Sequence, residues 1–146
     1  MKKSNALWPM VLMFLMAPAH AGGFKVDNAW IREAPPGTKN LVAYMTLENG
    51  KDNALILTGA MSSEFESIEM HHTIIKDDIA SMVQQYSIRI APYSIEKFEP
   101  TGLHMMLINP RRELKEGDKV KIALIFSNYR KIKVVFLVRK GAGVKH

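Results

Sequence analysis

The sequence predicts an all-β protein, a sandwich or barrel of short strands, and three observations carry that prediction. Val120, Ile122, Leu124 and Phe126 alternate with Lys119, Lys121 and Ala123, the two-residue period of a half-buried strand. Ile132, Val134, Phe136 and Val138 repeat the pattern against Lys131, Lys133 and Arg139, with Ser127-Asn128-Tyr129-Arg130 as the turn of a C-terminal hairpin. Turn signals also recur at short intervals: Pro35-Pro36-Gly37, Asn49-Gly50-Lys51-Asp52-Asn53, Lys76-Asp77-Asp78, Pro92, Pro100-Thr101-Gly102 and Glu116-Gly117-Asp118. That rhythm fits many short strands and leaves no room for alternating β-α units.

Further strands are predicted over residues 41–47, 55–58, 67–75, 86–90 and 103–108, which are rich in β-branched and aromatic side chains. No helix beyond a single turn near 113–117 is expected. Trp30, Tyr44 and Phe126 are expected to pack in the core. The N-terminus follows different rules. Lys2 and Lys3 precede an uncharged apolar run over 6–18, and Ala19-His20-Ala21 offers a small-x-small cleavage site. Residues 1–21 therefore read as a signal peptide, the apolar run falling short of the roughly 20 residues a bilayer crossing needs. Removing 21 of 146 residues leaves 125, residues 22–146, enough for one domain with a core. No later segment is apolar and long enough to span a membrane, so the mature chain is expected to be exported and soluble, without membrane insertion.

The formal net charge of +6 falls to about +4 once the two signal lysines leave. Lys119, Lys121, Lys131 and Lys133 share one strand face, where lysine keeps an exposed sheet soluble or steers an acidic partner. Nothing resembles a nucleic-acid module. There is no cysteine, so a soft-metal site must be built without thiolate.

Two stretches gather histidine with methionine: Glu69 to Met82, and Gly102-Leu103-His104-Met105-Met106-Leu107. In a strand His104 and Met106 leave the same face and Met105 the other. Glu69 and His71 likewise share a face, opposite Met70 and His72. The turn at Lys76-Asp77-Asp78 folds Met82 back beside the His71 region. Each methionine alone reads as core filler, and His72 as a surface residue. Together the clusters offer imidazole and thioether donors, a combination suited to copper, Cu(I) above all, and poorly suited to zinc, calcium or magnesium. Neutral donors leave bound Cu(I) a single positive charge, cheaper to hold near a low-dielectric surface than a divalent ion.

The landmarks then resemble a family, the periplasmic copper chaperones of the PCu(A)C type. The likeness runs from Asn28-Ala29-Trp30-Ile31-Arg32 and Ala34-Pro35-Pro36-Gly37 through 43–49 to Leu114-Lys115-Glu116-Gly117-Asp118 and the final hairpin. The family signature is a histidine, ten residues, a methionine, twenty-one residues, then His-x-Met, and His71, Met82, His104 and Met106 match it without a gap. The resemblance implies a cupredoxin-like or immunoglobulin-like Greek-key β-sandwich with one Cu(I) per chain on those four residues. It implies a periplasmic location and delivery of copper for the copper centre of cytochrome c oxidase, directly to the copper-binding subunit or through a Sco-type protein. Two departures stand out: Pro100-Thr101-Gly102 replaces a frequent Gly-Gly, and His72 lies outside the signature, at a variable position, with no ligand role. The tail also has only His146 where some relatives carry a His/Met-rich extension. Glu69 is the candidate outer partner of His71. Other readings are a copper-scavenging or resistance protein, an adhesive β-sandwich, or a metalloenzyme with Glu69 as its acid–base group. No paired carboxylates or Ser-His-Asp pattern point to catalysis.

Overall fold

Alternation and turns produce ten strands and no helix among residues 22–141, the part of the chain that the computed structural model describes. The proposed signal segment and His146 lie outside the described residues. The strands are β1 (Phe24–Arg32), β2 (Asn40–Asn49), β3 (Leu55–Met61), β4 (Phe65–Lys76), β5 (Ile79–Gln85), β6 (Ile88–Ile90), β7 (Ser94–Phe98), β8 (Leu103–Pro110), β9 (Lys119–Phe126) and β10 (Lys131–Arg139). Among the described residues no helix is long and apolar enough to cross a membrane.

One continuous hydrogen-bonded sheet runs β5-β4-β8-β7-β2-β1-β10-β9-β3-β6, with β8 also pairing β2. The strand β2 makes this possible by dividing its edge: Asn40–Ala43 pair with β8 and Met45–Asn49 with β7. The two halves of the sheet face one another across a single core. Leu41, Met45, Leu47, Phe65, Met70, Phe98, Met105 and Leu107 enter it from one half. Ile31, Leu57, Ile90, Val120, Ile122, Leu124, Phe136 and Val138 enter from the other. Burying side chains of this size contributes about 1.5–3 kcal/mol each before the cost of ordering them. The fully buried Asn49 fastens the halves, its Nδ2 donating to the carbonyls of Ile90, Ala91 and Asn53 while its Oδ1 accepts from Lys51 N–H.

Trp30 departs from expectation. A bulge between Asp27 and Trp30, with Asn28 at φ 49°, shifts the alternation of β1. Val26 and Ile31 therefore both face the core although they lie an odd number of residues apart, and Trp30 turns to the outer face. There it stacks on Tyr44 with ring centroids 4.9 Å apart, while Phe126 packs in the core as predicted. The segment near 113–117 forms a turn around Gly117 at φ 92°, which suits glycine.

Candidate metal centre

The site lies where β4 runs between β5 and β8. The hairpin β4–β5 closes through Asp77 and Asp78, both in the left-handed region at φ 51° and 60°, with Lys76 paired to Ile79. A two-residue turn of this type matches the twist of its strands and fixes their register. Met82 consequently faces Thr73, and Gln84 faces His71. On the other side of β4, His71 faces His104 and Glu69 faces Met106. Directly paired residues point to one side of a sheet, so Glu69, His71, His104, Met106 and Met82 all project from the outer face. His71 sits in the middle: His104 is directly across, and Met106 and Met82 lie on its two diagonals. All four signature residues are thus gathered on one surface. Met105 and Met70 point the opposite way and are core residues, 0% and 3% exposed.

Hydrogen bonds set the histidine tautomers. His71 Nε2 lies 2.8 Å from the Glu69 carboxylate, which can only accept, so Nε2 carries the proton and Nδ1 the lone pair. His104 Nδ1 lies 3.2 Å from the Gly102 carbonyl, which also accepts the Thr73 N–H at 3.1 Å. The lone pair of His104 therefore sits on Nε2. His71 Nδ1 and His104 Nε2 are both buried and have no hydrogen-bond partner among the described residues. Leaving such atoms unpaired costs about 1–3 kcal/mol each, so two on facing rungs call for a ligand. The rings approach edge to face at 5.7 Å between centroids.

The Gly102 carbonyl, which holds the His104 tautomer, is a feature that residue patterning did not single out. Only its place two residues before His104 hinted at it.

Burial differs sharply among the four candidate residues. His104 is 3% exposed, whereas Met82 is 60% exposed on an edge strand. Among the described residues no third strand pairs with β4 beyond His72, and of the exposed Ile74, Ile75, Ile79 and Val83 of the hairpin only Ile75 shares the face of Met82. His72 points away from the centre, on the face opposite His71.

Burial pushes the His104 pKa below the ordinary histidine value; the Gly102 hydrogen bond opposes the shift, and His71 and His72 add to it. The folded state prefers neutral His104, while the unfolded chain takes up a proton near pH 6.5. Stability is thus fully present above about pH 6.5 and declines as pH falls below it. The metal-free protein is expected to unfold at lower urea at pH 5.5 than at pH 7.5, and His104→Gln to reduce that difference. An equal pH dependence in both proteins would rule out His104 as its source.

Comparison with known proteins places this geometry in context. A family model described as "Putative lipoprotein LpqE-like" matches residues 24–138. A relative from Leifsonia xyli subsp. xyli, "Putative lipoprotein Lxx21020", is 31% identical over 109 residues. The match covers 74% of this chain and 64% of that relative, just under two thirds of its length. A copper-bound PCuAC domain from PmoF2 superposes with a TM-score of 0.69 at 22% identity, over 83% of this chain and 97% of that domain. The solution structure of Cu(I)-DR1885 from Deinococcus radiodurans gives a TM-score of 0.61 at 28% identity, over 80% of this chain and 77% of that one. The shared architecture is the cupredoxin-like β-sandwich that the resemblance implied. With the family model matched from β1 to β10, the chain belongs to the LpqE-like family, and it shares the fold of PCuAC domains.

Proposed function

We propose that the protein is an exported, periplasmic Cu(I) carrier that holds one Cu(I) per chain. The donors are His71 Nδ1, His104 Nε2 and the thioether sulfurs of Met82 and Met106. The observation that carries this reading is the pair of buried, unpartnered imidazole nitrogens on facing rungs, flanked on both diagonals by methionine. Among the described residues no three His, Asp or Glu side chains gather as a ligand group, so the further donors at this pair are thioethers. Two imidazoles and two thioethers are soft and neutral, which favours Cu(I) over zinc. The copper-loaded state named for DR1885 agrees with this choice of cargo.

Transfer follows from the unequal burial. The His71–His104 pair is held by Glu69 and Gly102, while Met82 stands open to solvent. A donor from a partner replaces Met82 first and draws the ion across without releasing it. The exposed Ile75, on the same face of the hairpin as Met82, gives that partner an apolar contact near the metal. A Sco-type copper protein or the copper-binding subunit of cytochrome oxidase fits this role, and the protein acts as a carrier with no turnover of its own.

The test is anaerobic titration with Cu(I) in competition with a chromophoric chelator, followed by mixing with copper-free partner. One equivalent bound and passed on is expected. Absence of uptake, or full uptake by His71→Ala, would refute the reading. Glu69 holds the orientation and tautomer of His71, so Glu69→Ala should weaken Cu(I) binding about 10-fold, within the ~10–100-fold range of such outer partners. Unchanged affinity in the same competition would make Glu69 an ordinary strand residue.

A further inference from the structure

We infer that Met82 is a site of oxidative modification, and that its conversion to the sulfoxide closes the empty carrier to copper. The inference rests on Met82 being a copper donor. It begins from the distribution of methionine exposure. Met45, Met70 and Met105 are 1%, 3% and 0% exposed, and Met106 is partly buried. Met82 is 60% exposed on β5, a strand with no buried residue. Among the described residues only Met61, 49% exposed on β3, is a similarly open methionine, and it lies away from the His71–His104 pair, paired to Ala123. Exposure governs how readily an oxidant reaches a thioether. The one donor that must stay accessible for exchange is therefore also the one most open to attack.

The chemistry is a two-electron oxygen transfer from a hypohalous acid. With hypochlorous acid, the Met82 sulfur loses two electrons and gains the oxygen as S=O. Chlorine leaves as chloride and the proton goes to solvent, and the methyl and methylene bonds to sulfur stay intact. The product is polar and offers Cu(I) a hard oxygen or an electron-poor sulfur in place of a soft donor. Copper already bound engages the same sulfur lone pair, so loading shields Met82. The modification then falls on the empty carrier and spares the loaded one.

The experiment treats the full mature chain, metal-free and Cu(I)-loaded, with limiting hypochlorous acid under anaerobic conditions. Sulfoxide at each methionine is read by peptide mass spectrometry, and Cu(I) affinity by chelator competition. In the metal-free protein, Met82 and Met61 should oxidise ahead of Met45, Met70 and Met105. Loading should slow Met82 about 10-fold or more while leaving Met61 unchanged. Oxidised Met61→Leu protein should lose Cu(I) affinity about 10-fold or more, comparable to removing a ligand's support. Met82→Leu should bind weakly from the start and lose little more. Equal Met82 rates in the loaded and empty protein, or full affinity with Met82 oxidised, would overturn the inference while leaving the carrier intact. An unoxidised protein that takes up no Cu(I) would overturn both.

Discussion

Replacing His104 and Met106 together by alanine is expected to abolish measurable Cu(I) binding while leaving a folded protein. Both residues lie on the outer face of β8, so neither contributes to the core formed by Met105, Leu107 and the facing strands. Losing them removes one nitrogen and one sulfur donor on the same strand. The remaining His71 and Met82 sit on different strands and form only half of the proposed set. The affinity loss should therefore exceed by a wide margin the ~10–100-fold produced by an outer partner such as Glu69. The apo histidines already hold two unpaired buried nitrogens, so removing one imidazole also removes a standing cost. Circular dichroism and thermal unfolding should confirm the fold, and chelator competition the loss. Retained affinity in the folded double variant would show that copper sits elsewhere.

The neighbouring methionines should separate stability from binding. Met105 is fully buried in the core, one residue from Met106 on the opposite face. Met105→Ala leaves a cavity and is expected to cost about 2–5 kcal/mol. For a domain of this size that is a fall in Tm of roughly 10 °C or more. The protein that remains folded should bind Cu(I) far better than Met106→Ala does. Met106→Ala should do the reverse, with stability changed by about 1 kcal/mol or less and binding severely weakened. Thermal unfolding and Cu(I) competition on the two single variants decide the matter. A common phenotype would mean that β8 does not present them to opposite faces.

Strand alternation made the shared face of the candidate residues legible in the sequence. A period of two places His104 and Met106 together, and the turn at Asp77-Asp78 brings Met82 back toward His71. The rung itself required the register, since Met82 faces Thr73 and reaches His71 along a diagonal. The C-terminal hairpin was equally plain, because Val120 to Phe126 and Ile132 to Val138 keep strict alternation.

Two strands were hidden for physical reasons. In β1 the bulge flips the face between Val26 and Ile31, breaking the period that would have announced it. β7 is five residues long with only Phe98 fully in the core, too little pattern to distinguish from a loop. The segment expected over 86–90 contracts to Ile88–Ile90, with Tyr86 left 78% exposed. The two unpartnered nitrogens were beyond reach of the sequence, because they depend on which hydrogen bond each ring makes. Those bonds come from Glu69 and the Gly102 carbonyl, one a side chain and the other backbone.

X-ray absorption at the copper edge of the protein loaded with one equivalent of Cu(I) examines the donor set itself. Two nitrogen and two sulfur scatterers in the first shell, with one sulfur lost in Met82→Leu and another in Met106→Leu, are the predicted result. A first shell of nitrogen and oxygen alone, unchanged by either substitution, would contradict a centre built on this face of the sheet.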